Sequence, residues 1–142
     1  MSKKSAAIAA LIVSCQGQRH DAHYLGFFEC FNRGLFYEAH DVLEELWLAE
    51  RKGPNDAFYK GLIQLAGAFV HLQKNRLHPS AALFKLALSN LEKYPPLHQD
   101  LDITVVIQLI QVWLNRLEAA EFQVNPLASN GPPELRLRTG AP

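Results

Sequence analysis

Phe31-Asn32-Arg33-Gly34-Leu35-Phe36-Tyr37-Glu38-Ala39-His40-Asp41-Val42-Leu43-Glu44-Glu45-Leu46-Trp47 sets apolar side chains at helical intervals behind a turn signal. Asn32-Arg33-Gly34 is the turn, and Gly34 suits a left-handed backbone position. Leu35, Phe36, Ala39, Val42, Leu43, Leu46 and Trp47 share one stripe, which predicts a helix from about Leu35 to Glu50. Polar residues intrude on that stripe. His40 falls inside its edge, between Phe36 and Trp47, and Glu44 lies one turn further at the margin. Glu38 flanks the opposite margin, while Asp41 and Glu45 point outward.

The next stretch, Phe58-Tyr59-Lys60-Gly61-Leu62-Ile63-Gln64-Leu65-Ala66-Gly67-Ala68-Phe69-Val70-His71, is apolar nearly all round and therefore reads as the central helix. One narrow polar strip remains on it: Lys60, Gln64, Gly67 and His71. A mid-helix glycine costs about 1 kcal/mol against alanine, so Gly67 implies close approach by a neighbour. Lys52-Gly53-Pro54-Asn55 breaks the chain between the two helices, with Asn55 or Asp56 able to cap the second. Folding them into an antiparallel hairpin pairs Gln64 with His40, and Lys60 or Gly61 with Glu44. His71 then falls near Gly34.

Working outward, a helix is expected from about Asp21 to Phe31 with Asp21 as its cap. Another should run from Pro79 to about Lys93, ended by Tyr94-Pro95-Pro96. A last one, opened by Asp100 or Asp102, should reach about Phe122. Its apolar face, from Ile103 through Trp113 to Leu117, is wide enough for a core helix or a homodimer contact. Short connections imply antiparallel neighbours, so the fold class is all-α: one compact antiparallel bundle of about five helices over residues 1–124. Residues 125–142, with Pro126, Pro132, Pro133, Pro142, Gly131 and Gly140, read as an extended or disordered tail.

The N-terminus has two readings. Lys3-Lys4, an apolar run from Ala6 to Val13, and Ile12-Val13-Ser14-Cys15 look like a lipoprotein leader and cleavage box. The run is short for a leader and far too short to span a bilayer, so the other reading is an apolar arm packed on the domain. Cys15 and Cys30 form neither a disulfide framework nor a metal-finger spacing, as expected of reduced thiols in a cytoplasmic protein.

At 142 residues the chain is long enough to bury a core without staples. Its formal net charge is zero, which argues against a nucleic-acid binder and against electrostatic docking on a membrane. Near-zero charge makes self-association easy.

The two helical stretches resemble an uncharacterised family, domain of unknown function 309. Phe31 to Trp47 is similar to its FNxGxxxEAHExLExxW signature, and Lys60 to His71 to its QGLIQxAxAxxH motif. The family usually has Glu where Asp41 stands and Gln where Lys60 stands. The resemblance covers about Gly26 to Lys93; it implies a compact helical bundle and no particular activity.

Three uses of the polar residues are open. His40, Glu44 and Gln64 can form a satisfied core network that fixes helix register, with Glu38 bracing the Gly34 turn. His40 and Glu44 at ligand spacing, with His71 or Glu38, can hold a divalent metal that activates water. Lys60 and His71 can instead be donors in a small-ligand pocket, an anion among the candidates, walled by Trp47 or Tyr37. The expectation is a cytoplasmic binding or interaction protein, its ligand a small molecule or a protein. Glu38, His40, Glu44, Lys60, Gln64 and His71 are its candidate contacts. A metal-dependent hydrolase using His40, Glu44 and His71 is the alternative. His20, His23, His78 and His98 lie near turns or helix ends and are expected to be solvated.

Overall fold

A computed structural model of the chain describes residues 6–138. Among them are seven helices: α1 (Ala6–Ser14), α2 (Ala22–Asn32), α3 (Phe36–Ala49), α4 (Asp56–Gln73), α5 (Leu77–Leu91), α6 (Ile103–Ala119) and α7 (Pro126–Ser129). The five expected helices are α2 to α6. The additions are α1, formed by the N-terminal apolar run, and the single turn α7.

The apolar run is therefore a helix packed on the domain. Ile8 and Ile12 of α1 are buried, as is Cys15 just beyond it. The contact is close because Gly26 has no side chain: a Cβ there would meet Val42 Cγ1 at 3.2 Å and Ile12 Cγ1 at 3.7 Å. No helix among the described residues is long and apolar enough to cross a membrane.

Local signals place most boundaries. Asp21 caps α2 by accepting the His23 N–H at 2.7 Å. Gly34 sits at φ +74°, in the left-handed region the turn requires. Asp102, rather than Asp100, caps α6 by accepting the Val105 N–H at 3.1 Å. The start of α4 departs from expectation. Asn55 holds the cap position but its side chain makes no cap bond, and bonds His98 Nε2 at 2.7 Å instead. The Asp56 carboxylate is taken by Trp47 Nε1 and the Lys52 N–H. Those bonds, the Lys52 amide first and the Trp47 indole next, hold the Asp56 carboxyl below its ordinary value. The cap is supplied from elsewhere: Tyr94 Oη accepts the Phe58 N–H at 2.8 Å and donates to the Pro54 carbonyl at 2.9 Å.

Between α5 and α6 lies a minimal antiparallel pair, β1 (Leu97–His98) and β2 (Leu101–Asp102), with His98 opposite Leu101. Its two-residue turn, Gln99-Asp100, has φ of 47° and 61°, the left-handed geometry of tight hairpins.

The core is a continuous aromatic and aliphatic cluster around α4. Phe69 packs on Phe31, Phe36, Phe84 and Trp113, with ring centroids 4.9–5.7 Å apart. Trp113, on the α6 face that suited either a core helix or a dimer contact, is thus buried in the protein's own core. The α4–α5 crossing is tightest at Gly61, where a Cβ would meet Leu91 Cγ at 3.0 Å and Asn90 Cβ at 3.2 Å. Ser80 bridges the same two helices by donating to the Ala68 carbonyl at 2.9 Å.

Residues 125–138 are pinned to the bundle. Pro126 and Leu135 are buried. Asn32 grips Leu135 from both sides, Nδ2 donating to its carbonyl and Oδ1 accepting its N–H, each at 2.7 Å. Asn125 Nδ2 donates to the Leu72 carbonyl at 2.6 Å. The Arg138 N–H reaches the Asp100 carbonyl at 2.7 Å. The segment is extended after α7, and over these residues it is held rather than loose.

Candidate functional site

The α3–α4 hairpin and α5 enclose a cleft of about 250 Å3, lined by Tyr37, His40, Ile63, Gln64, Gly67, Val70, His71, Lys74 and Leu83. Helical spacing explains the set. Tyr37 and His40 are three apart on α3. On α4, Gln64, Gly67, His71 and the capping residue Lys74 follow one another at three- and four-residue steps, so they share a strip. Gly67 is where α5 comes close: a Cβ there would lie 3.2 Å from Leu83 Cδ1. The missing side chain leaves the cleft its floor.

Of the six residues singled out from the sequence, His40, Gln64 and His71 meet in this cleft. Glu38, Glu44 and Lys60 are not among its lining. Glu38 lies toward α2: the Cys30 thiol is pushed up to about 11, chiefly by burial and then by the Glu38 carboxylate. Lys60 is exposed, within electrostatic reach of Asp56 at the start of α4. Lys74 takes the place expected of Lys60. The sequence carries the signal for it, since the polar strip of α4 continues three residues beyond His71. Trp47 is bound to Asp56 at 2.8 Å, beside the α3–α4 loop, so the aromatic wall is Tyr37.

The two imidazoles are unusual in their bonding. His40 Nδ1 and His71 Nδ1 are both shut off from solvent, and neither has a hydrogen-bond partner among the described residues. The His40 ring lies nearly parallel to Tyr37, with centroids 6.4 Å apart and planes 13° from parallel. Burial pushes the His71 imidazole below the ordinary histidine value, and the Arg76 and Lys74 cations push the same way. Gln64 does not bond His40; its Oε1 accepts from Asn90 Nδ2 of α5 at 2.8 Å. The expected His40–Glu44–Gln64 network is therefore not closed.

The metal reading meets a geometric obstacle. Among the described residues no group of three or more His, Cys, Asp or Glu side chains is placed to hold a metal ion. His40, Glu44 and His71 do not make a ligand triad, because Glu44 stands outside the cleft that the histidines share.

The other histidines differ from expectation in two cases. His20 is largely buried and bonds Asp100 Oδ2 at 2.7 Å. His98 packs on Phe58 and Tyr94 with centroids 4.6 and 4.8 Å away, and burial lowers its proton affinity. Both are tied down because the β1–β2 turn folds back on the bundle. His23 is partly exposed beside Glu45 and Asp21, and His78 is exposed against the Phe122 ring.

Residues 24–83, which include both motif helices and the whole cleft lining, match the family model described as Domain of unknown function (DUF309). No curated protein and no solved structure matches the chain.

Proposed function

We propose that the protein binds a small organic ligand in the cleft between α3, α4 and α5, and that it does so in the cytoplasm. The observation that carries this reading is the meeting of His40, Gln64 and His71 on one cleft, with an Nδ1 behind each ring that has no partner among the described residues. Buried polar atoms are nearly always paired, and leaving one unpaired costs about 1–3 kcal/mol. Two such costs beside one cleft favour a site over a scaffold. The cleft has the usual make-up of a ligand site, mostly apolar walls with a few convergent polar groups. The cytoplasmic assignment rests on Cys15 and Cys30, both unpaired thiols.

The test is His40→Leu and His71→Leu, each followed by thermal melting and by NMR screening of small fragments. The binding reading expects melting temperatures unchanged or raised, since an apolar side chain removes an unpaired buried nitrogen. It also expects fragments that shift both imidazole rings in the unaltered protein and neither variant's remaining ring to the same degree. A loss of about 1–3 kcal/mol in both variants, without any fragment reaching the rings, would make the pair a structural network.

A further inference from the structure

On the premise that this cleft is the ligand site, we infer that its ligand is a small organic anion, a carboxylate carried on a short aliphatic chain. Size limits the chain. A cleft of about 250 Å3 falls below the range of about 300–1,000 Å3 usual for drug-sized ligands and suits a short chain. Its lining is mainly apolar, with Ile63, Val70 and Leu83 among it, which suits a ligand with an apolar body.

The polar groups that reach the cleft can all donate. Each imidazole has its Nδ1 enclosed without a partner. A proton there would be an orphaned buried N–H, which proteins tolerate less readily than an unused acceptor. The N–H of each ring is therefore assigned to Nε2, which makes that nitrogen the donor a ligand would use. Gln64 has its oxygen occupied by Asn90, so it offers its amide N–H groups. Lys74 adds an ammonium, and among the described residues neither Asp nor Glu lines the cleft. Burial and the neighbouring cations favour the neutral form of His71, so its role is that of a hydrogen-bond donor, not a fixed charge.

The helix ends agree with this polarity. Tyr37 and His40 lie near the start of α3, the positive end of its dipole. The carbonyls at the opposite, negative end of α4 are occupied. Val70 and His71 accept the Lys74 N–H, His71 also accepts that of Arg76, and Leu72 accepts that of Asn75. A carboxylate can accept from several such donors at once, whereas an amine would bring donors to a place poor in acceptors.

The experiment titrates the whole protein with hexanoate, hexanamide and hexylamine, following the His40 and His71 ring nitrogens by long-range proton–nitrogen NMR. Lys74→Gln is titrated alongside. The expected result is saturable movement of both rings with hexanoate, about tenfold tighter than with hexanamide, and no binding of hexylamine. In Lys74→Gln hexanoate should weaken by about threefold or more beyond any change in hexanamide binding. Hexanamide or hexylamine binding as tightly as hexanoate would overturn the anion inference and leave the cleft as a ligand site. A hexanoate preference untouched by Lys74→Gln would overturn it too. Rings unmoved by all three probes would overturn the cleft reading itself.

Discussion

Two regions of this bundle bury polar atoms, and they treat them in opposite ways. At the β1–β2 turn every named group is answered. Tyr24 Oη donates to the Gln99 carbonyl at 2.9 Å, and Gln99 Nε2 donates to Tyr59 Oη at 3.1 Å. His20 and Arg19 meet the Asp100 carboxylate at 2.7 and 3.3 Å. At the α3–α4 cleft the two histidines keep an enclosed nitrogen unanswered. The sequence around both regions is similarly rich in His, Gln and Tyr, so composition does not separate them. Completeness of pairing does. A closed network holds chain segments together, and an incomplete one costs stability that a scaffold alone would not spend.

The contrast can be broken in order of expected effect. Asn32→Ala should cost most, about 2 kcal/mol, because it removes both bonds to Leu135. Urea denaturation would measure the loss, and faster amide exchange at Leu135 would locate it. Tyr24→Phe should cost about 1–2 kcal/mol, since the Gln99 carbonyl loses its donor inside a tightly turned hairpin. If Tyr24→Phe were neutral, pairing at the turn would not be what holds it. His71→Leu should go the other way, with a gain of up to about 0.5 kcal/mol on the same urea assay.

Acidification is the gentlest perturbation. His71 and His98 bind protons less readily in the folded chain than in the unfolded one, whose ordinary value is 6.5. As pH falls through that value the unfolded chain takes up protons first, so stability present at higher pH is lost, and the loss ends below the folded values. Melting curves across this range should show the decline, and His71→Leu should make it shallower.

Much of the scaffold could be read from local signals. The stripe on α3, the all-round apolar α4, the Asp21 and Asp102 caps and the Gly34 turn are decided within a few residues each, where spacing and backbone preference suffice. The cap of α4 was not legible, because Tyr94 reaches it from 36 residues away. The site was legible in part. His40, Gln64 and His71 follow from facing positions across a hairpin. Lys60 could not join them, since it lies about 16 Å along the helix axis from His71 at about 1.5 Å per residue. Glu44 was drawn in by its spacing from His40, but spacing on one helix does not say where the neighbouring helices leave a gap.

The clasp between Asn32 and Leu135 has a consequence in time. The partners stand 103 residues apart, so Asn32 and the helix it ends are made long before Leu135 exists. Loop closure over that distance is costly at the start and cheap once the helices between have condensed. During synthesis, then, α2 to α5 can pack with the Asn32 amide still hydrated, and the tail is expected to latch on last. A refolding chain should show the same sequence of events, with helix recovered in an earlier phase than protection at Leu135.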